Sequence, residues 1–129
     1  MAEVNTMERF QQWFLLRDLS FGCLPKYGDF PCVYVFRDKT SGEILKFGSA
    51  TKFRNRVFVN YLCGMGGNDE SSTTQWIHKQ LIKDESIERV EVSWHQTQNV
   101  NEARSLEKEL QARYRREHGG KRPVWERSG

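Results

Sequence analysis

A chain of 129 residues, 37% hydrophobic and 29% charged, has the size and balance of one domain with a single core. The net charge of +3 is mild, no apolar run is long enough to span a membrane, and the three cysteines (Cys23, Cys32, Cys63) lack metal-type spacing. A membrane protein and a disulfide scaffold are thereby excluded, and reduced thiols point to a cytoplasmic home; Glu3 and Glu8, with no basic region before an apolar core, argue against a signal peptide.

Charge is uneven along the chain. Residues 1–30 hold three basic and four acidic side chains, whereas residues 112–129 hold six basic and two acidic ones. A basic C-terminal end suits a polyanionic partner, and equally a solvated helix end. Near the N-terminus, Met7, Phe10, Phe14 and Arg17 recur at helical spacing behind Thr6 as a cap. The pattern predicts an amphipathic helix from Thr6 to about Leu19, packed on one side of the domain. Residues 20–31, with Gly22, Pro25, Gly28 and Pro31, read as a loop.

Cys32 to Phe36 and Ile44 to Phe47 are short β-branched and aromatic runs joined by D-K-T-S-G, a β-hairpin signal. Symmetric pairing about Thr40 sets Tyr34 opposite Lys46, on one face and with Gly48 alongside. Gly48 and Ser49 then break the strand, and Thr51 caps a helix through Tyr61. On that helix Arg56 and Asn60 are four apart and project together. A phenol, an ammonium, a guanidinium and an amide around a glycine suit an anionic ligand.

The segment C-G-M-G-G-N-D-E-S-S-T-T reads as a flexible loop beside a substrate groove, because its glycines lack the spacing and the Lys of a P-loop. Trp76, Ile77 and Leu81 mark a helix from Thr74 to about Lys83, with His78 on the surface. I-E-R-V-E-V-S-W-H alternates as a half-buried strand, placing Val90, Val92 and Trp94 one way and Glu91, Ser93 and His95 the other. His95 is a minor functional candidate.

The last helix spans about Asn101 to His118. Ala103, Leu106, Leu110 and Tyr114 form its apolar stripe, and Glu107 sits at the edge of that stripe. A carboxylate there needs a partner, either a salt bridge such as Arg56 or a metal ion. Gly119-Gly120 ends the helix. In the tail K-R-P-V-W-E-R-S-G, Trp125 among cations suits a nucleic-acid contact, but packing back on the domain is the favoured reading of Trp125 itself.

Taken together, C-V-Y (32–34), K-F-G-S-A (46–50), F-R-N-R (53–56) and L-E-K-E-L (106–110) make the chain resemble the GIY-YIG nuclease superfamily over roughly residues 31–117. The resemblance implies an α/β (α+β) fold with a small three-stranded antiparallel sheet in the order β-β-α-α-β-α, here with an extra N-terminal helix. It divides the chain into an N-terminal helix and loop (1–30), a nuclease-like domain (31–118) and a basic tail (119–129). It also implies a metal-dependent endonuclease acting on DNA, with a catalytically weak nucleic-acid-binding module as the alternative. A protein-interaction domain with a Glu107–Arg56 ion pair is a third reading.

The roles carried over are residue by residue. Tyr34 takes the proton from water, and cations at Lys46 and Arg56 favour its anion. Arg56 holds the phosphate, and Glu107 binds one Mg²⁺ or Mn²⁺ with water filling most other positions. Two positions depart from the pattern. Lys46 stands where the second motif has tyrosine, a replacement also found in restriction-enzyme-like members, and it can orient water or offset phosphate charge. Asn60 stands where His or Tyr is common and cannot transfer protons near neutral pH. Lys52, Arg54, Arg113, Arg116, Lys121 and Arg122 are the expected DNA contacts. Specificity would come from a protein partner, from self-association or from the 63–73 loop.

Overall fold

The computed structural model describes residues 9–10, 12–18, 30–53, 56, 73–82 and 87–126. Among these residues four antiparallel strands make one sheet in the order β1-β4-β2-β3: β1 is Phe14–Leu15, β2 is Cys32–Asp38, β3 is Ile44–Ala50 and β4 is Val90–Gln96. Three helices accompany them among the described residues: α1 (Leu16–Asp18), α2 (Thr73–Ile82) and α3 (Val100–Glu117). The α+β class and an antiparallel sheet agree with the sequence reading, but the sheet has four strands rather than three. No described helix is long and apolar enough to cross a membrane.

The extra strand corrects the expected N-terminal helix. Phe14 and Leu15 pair with Val92 and Glu91 of β4, and among the described residues of this stretch the α-helix covers Leu16–Asp18. Tertiary pairing overrides a helical spacing that Met7, Phe10, Phe14 and Arg17 met by coincidence. Phe14 stacks on Trp94 with centroids 5.2 Å apart, and Leu16 is fully buried. The first part of the expected helix, with Thr6 and Met7, lies outside the described residues.

The hairpin register is also corrected. Tyr34 pairs with Gly48, and Lys46 pairs with Phe36. Asp38 shapes the turn, its Oδ1 accepting from the N–H groups of Thr40 (2.8 Å) and Ser41 (3.0 Å), while its own N–H donates to Glu43 O (2.8 Å). Arg37 opposite Ile44 continues that pairing, which carried onward would set Lys46 against Val35. A bulge after Phe36 absorbs Leu45 and restores Lys46 to the face of Tyr34. Gly48 and Ser49 do not end the strand; β3 runs on to Ala50.

Two cores flank the sheet. On one face Tyr34, Phe36, Val90 and Val92 pack with Phe53 and with Ile77 and Leu81 of α2. On the other, Val33, Val35 and Phe47 pack with Phe10 and with Leu106, Leu110 and Tyr114 of α3. The strand β4 is therefore covered on both sides, and Ser93, expected to face solvent, is 1% exposed. α3 begins at Asn99, whose side chain accepts from Glu102 N–H at 2.9 Å. It ends with Gly119 and Gly120 at positive φ (63° and 86°), Gly120 N–H donating to Arg115 O at 2.7 Å, a Schellman-type stop.

Beyond that stop the tail doubles back. Trp125 N–H donates to Leu45 O at 2.8 Å, and its indole meets Phe36 and Trp76 edge-on at 6.1 and 6.5 Å. With 8% of Trp125 exposed, this side chain completes the core on the Tyr34 face. Trp125→Ala is expected to lower the free energy of unfolding by about 3 kcal/mol or more, measured by urea denaturation; a loss below about 1 kcal/mol would mean that the tail is not part of the core.

Candidate functional site

Gly48 decides where the phenol of Tyr34 goes. A Cβ at position 48 would collide with the outer ring atoms and hydroxyl of Tyr34. Only a residue without a side chain lets the ring lie over the strand backbone there. Tyr34 is 1% exposed, wedged between Phe36 (5.4 Å between centroids) and Phe53 (6.3 Å). Its outer end lines a cavity of about 300 Å³ together with Lys46, Gly48, Ser49, Ala50, Thr51, Arg56, Val100, Arg104 and Glu107.

The cavity opens across the edge strand β3. Tyr34, Lys46 and Gly48 reach it from the α2 face of the sheet, and Ser49, Arg104 and Glu107 from the α3 face. Arg56 stands just past β3, where its N–H donates to Lys52 O at 3.0 Å in a helical turn. Its guanidinium lies close enough to Cys32 to pull down a thiol that burial pushes far above its ordinary value. Tyr34, Lys46, Arg56 and Glu107, singled out from sequence, thus share one hollow.

Glu107 is held from both ends. Ser49 Oγ donates to its Oε1 at 2.6 Å, and Gln111 Nε2 donates to its Oε2 at 3.2 Å. The Glu107–Arg56 ion pair is absent from the salt bridges among the described residues, so the carboxylate is oriented by neutral donors and its charge is left to face the cavity. Around it stand three cations, Lys46, Arg56 and Arg104. Such a carboxylate on a polar hollow fits a single hard cation whose other positions are taken by water or phosphate oxygens. No cluster of three or more His, Cys, Asp or Glu occurs among the described residues, so any metal held here rests on few protein ligands.

Sequence reasoning passed over four members of this arrangement. Arg104 and Gln111 are three before and four after Glu107, and that spacing places them on its side of the helix. Ser49 follows a glycine and so reads in the sequence as part of a strand break, whereas β3 continues through it to Ala50. Glu126 had no local signal, because only the fold-back of the tail brings it in. Its Oε1 accepts from Gln111 Nε2 at 2.6 Å, so one amide bridges Glu126 and Glu107. Burial pushes the Glu126 carboxyl above its ordinary value; hydrogen bonds from Gln111 and the Phe47 backbone and the charge of Lys46 pull it down, and Glu107 pushes it up.

The expected DNA contacts divide. Lys52 is exposed beside the cavity-lining Thr51. Lys121 and Arg122 are exposed at the start of the tail. Arg113 pairs with Glu117 at 3.2 Å and lines a different hollow of about 140 Å³ with Ile44 and Phe47. Arg116 lies on the helix side away from Glu107. Arg54, Asn60 and the 63–73 loop (save its last residue, which begins α2) lie outside the described residues, as do Cys23 and Cys63. His95 contacts Arg9 Nη1 at 3.3 Å and does not line the cavity; burial, then the Arg9 charge, lowers its pKa.

No protein-family model, no curated protein and no solved structure matches the chain.

Two outcomes are expected. Gly48→Ala, by driving Tyr34 off the strand, should cost about 1–3 kcal/mol of stability; unchanged chemical denaturation would mean that the ring does not rest there. The raised pKa of Glu126 favours its protonated form in the fold. Its contribution to stability is therefore full below the unfolded value of 4.5 and is lost as pH rises through the folded one. Thermal melts of wild type and Glu126→Gln should accordingly diverge between pH 4 and neutrality, with wild type losing ground as pH rises; parallel curves would contradict this.

Proposed function

We propose that this chain is a metal-dependent endonuclease of the GIY-YIG type, hydrolysing phosphodiester bonds in DNA. The observation that carries the reading is the shared cavity: a phenol, an ammonium, two guanidiniums and an oriented carboxylate surround one polar hollow at the open edge of the sheet. Residues far apart in sequence supply them. The excess of cations over anions suits a phosphate diester and the extra negative charge its hydrolysis generates.

A phosphodiester seated in the cavity is held through its non-bridging oxygens by Arg56, whose planar fork matches them, and by Arg104 from the opposite wall. Tyr34 takes the proton of the attacking water; Lys46, on the same face of the sheet, steadies the phenolate and orients that water. The water oxygen forms the new bond to phosphorus, the bond to the leaving oxygen breaks, and that oxygen acquires a proton from solvent. Glu107 is the residue that holds the cation, Mg²⁺ or Mn²⁺. When bound, such a cation supplies positive charge against the phosphate and the leaving oxygen.

The exposed side chains Lys108 and Arg115 continue the Arg104 side of α3. They extend the basic surface from the cavity along the helix, where a DNA backbone can follow it. Lys52, Lys121 and Arg122 add to the same charge. A binding module with little cleavage is the second reading, and it rests on one observation: the second motif position is Lys46 instead of tyrosine.

Incubation with supercoiled plasmid separates the two. Mg²⁺- or Mn²⁺-dependent nicking is expected, abolished by chelator and reduced about 100-fold or more in Glu107→Ala and in Arg56→Ala. Salt-sensitive binding without nicking would leave the binding module standing and overturn the nuclease.

A further inference from the structure

We infer that Glu126 is a positioning residue of this cavity, fixing the carboxylate of Glu107 through the side-chain amide of Gln111. Glu126 lies past the end of α3, on a tail that would otherwise have no reason to approach the site. Three contacts bring it there. Trp125 N–H donates to Leu45 O, Glu126 N–H donates to Pro123 O at 3.0 Å, and the Trp125 indole is buried between Phe36 and Trp76. The tail thus runs along the Leu45–Phe47 half of the β3 edge, and Gly48, Ser49 and Ala50 beyond it line the cavity.

The geometry at Gln111 is that of a bridge. Its single Nε2 has two protons, and both are used: one toward Glu126 at 2.6 Å and one toward Glu107 at 3.2 Å. The shorter bond anchors the amide, and the longer one presents a proton to the oxygen of Glu107 that Ser49 does not hold. Without Glu126 the amide is free to rotate, its carbonyl can face Glu107, and the carboxylate loses one of its two fixed donors. Charge reinforces the arrangement, since Lys46 interacts favourably with Glu126 from the strand beneath. Orientation of a ligating group by its outer partners is typically worth about 10–100-fold in metal affinity.

The positioning statement rests on geometry alone; its consequence for metal binding rests on the function proposed above. The test uses the full chain and two readouts. The ¹³Cδ resonance of Glu107 and the side-chain ¹⁵N of Gln111, recorded without metal, should shift in Glu126→Ala and return close to wild type in Glu126→Gln, which keeps an oxygen for the amide. Gln111→Ala, cut from the helix side and leaving the tail intact, should move Glu107 likewise, and the double variant should add little to either single one. Mn²⁺ affinity measured by calorimetry should fall about 10-fold in Glu126→Ala. A Glu107 resonance unmoved by Glu126→Ala, or fully additive effects of the two single variants, would overturn the inference. Movement of Glu107 in a protein that binds no Mn²⁺ at all would support the positioning role and overturn the metal-dependent nuclease instead.

Discussion

The contact between the Tyr34 ring and the bare backbone at Gly48 is the constraint from which the site follows. A tyrosine in the central part of a sheet normally stands clear of the neighbouring strand. Here the opposing residue has no side chain, so the ring lies over β3 and its hydroxyl end arrives at the sheet's edge. The edge is the one place where groups from both faces of a sheet can meet. Lys46 comes from the same face as Tyr34, Glu107 and Arg104 come from α3 on the other, and Arg56 comes from the turn that follows the strand. A bulky residue at position 48 would fill this meeting point.

An open strand edge is a hazard, and each edge of this sheet is treated differently. β1, only two residues long, closes the β4 side. The returning tail meets the first half of β3 with a backbone hydrogen bond and a buried indole, while Gly48, Ser49 and Ala50 of the second half line the cavity. The core and the cavity are therefore drawn from the same strand. Where the tail meets β3 the strand completes the core, and past that contact it lines the cavity. The tail links the two roles, since Trp125 belongs to the core and the adjacent Glu126 reaches the carboxylate network of α3.

Period and turn chemistry in the sequence were enough to place α2, β4, α3 and the existence of the hairpin. Tyr34, Lys46, Arg56 and Glu107, singled out by side-chain chemistry and by the family resemblance, line one cavity. What escaped has physical reasons. A two-residue strand such as Phe14–Leu15 has no period to detect, and Phe10, Phe14 and Arg17 happen to repeat like a helix. The turn register and the bulge at Leu45 each shift the pairing by one residue, and no residue type marks either; together they set Tyr34 opposite Gly48 instead of Lys46, two residues of the same face, so the grouping of these side chains is unchanged. Arg104 and Gln111 were readable from their spacing to Glu107. Glu126 was not, because its place depends on a tertiary fold-back that begins at a glycine pair and ends at an indole in the core.

The central claim is that the β3 edge cavity receives a phosphodiester backbone. The most direct measurement is an amide chemical-shift titration of ¹⁵N-labelled protein with a short DNA duplex in Ca²⁺, a hard cation chosen to occupy the site while slowing cleavage. The account predicts that the largest perturbations fall on Gly48, Ser49, Thr51, Arg56 and Arg104. Perturbations confined to the Arg113 and Arg116 side of α3, with the cavity residues unmoved, would contradict it.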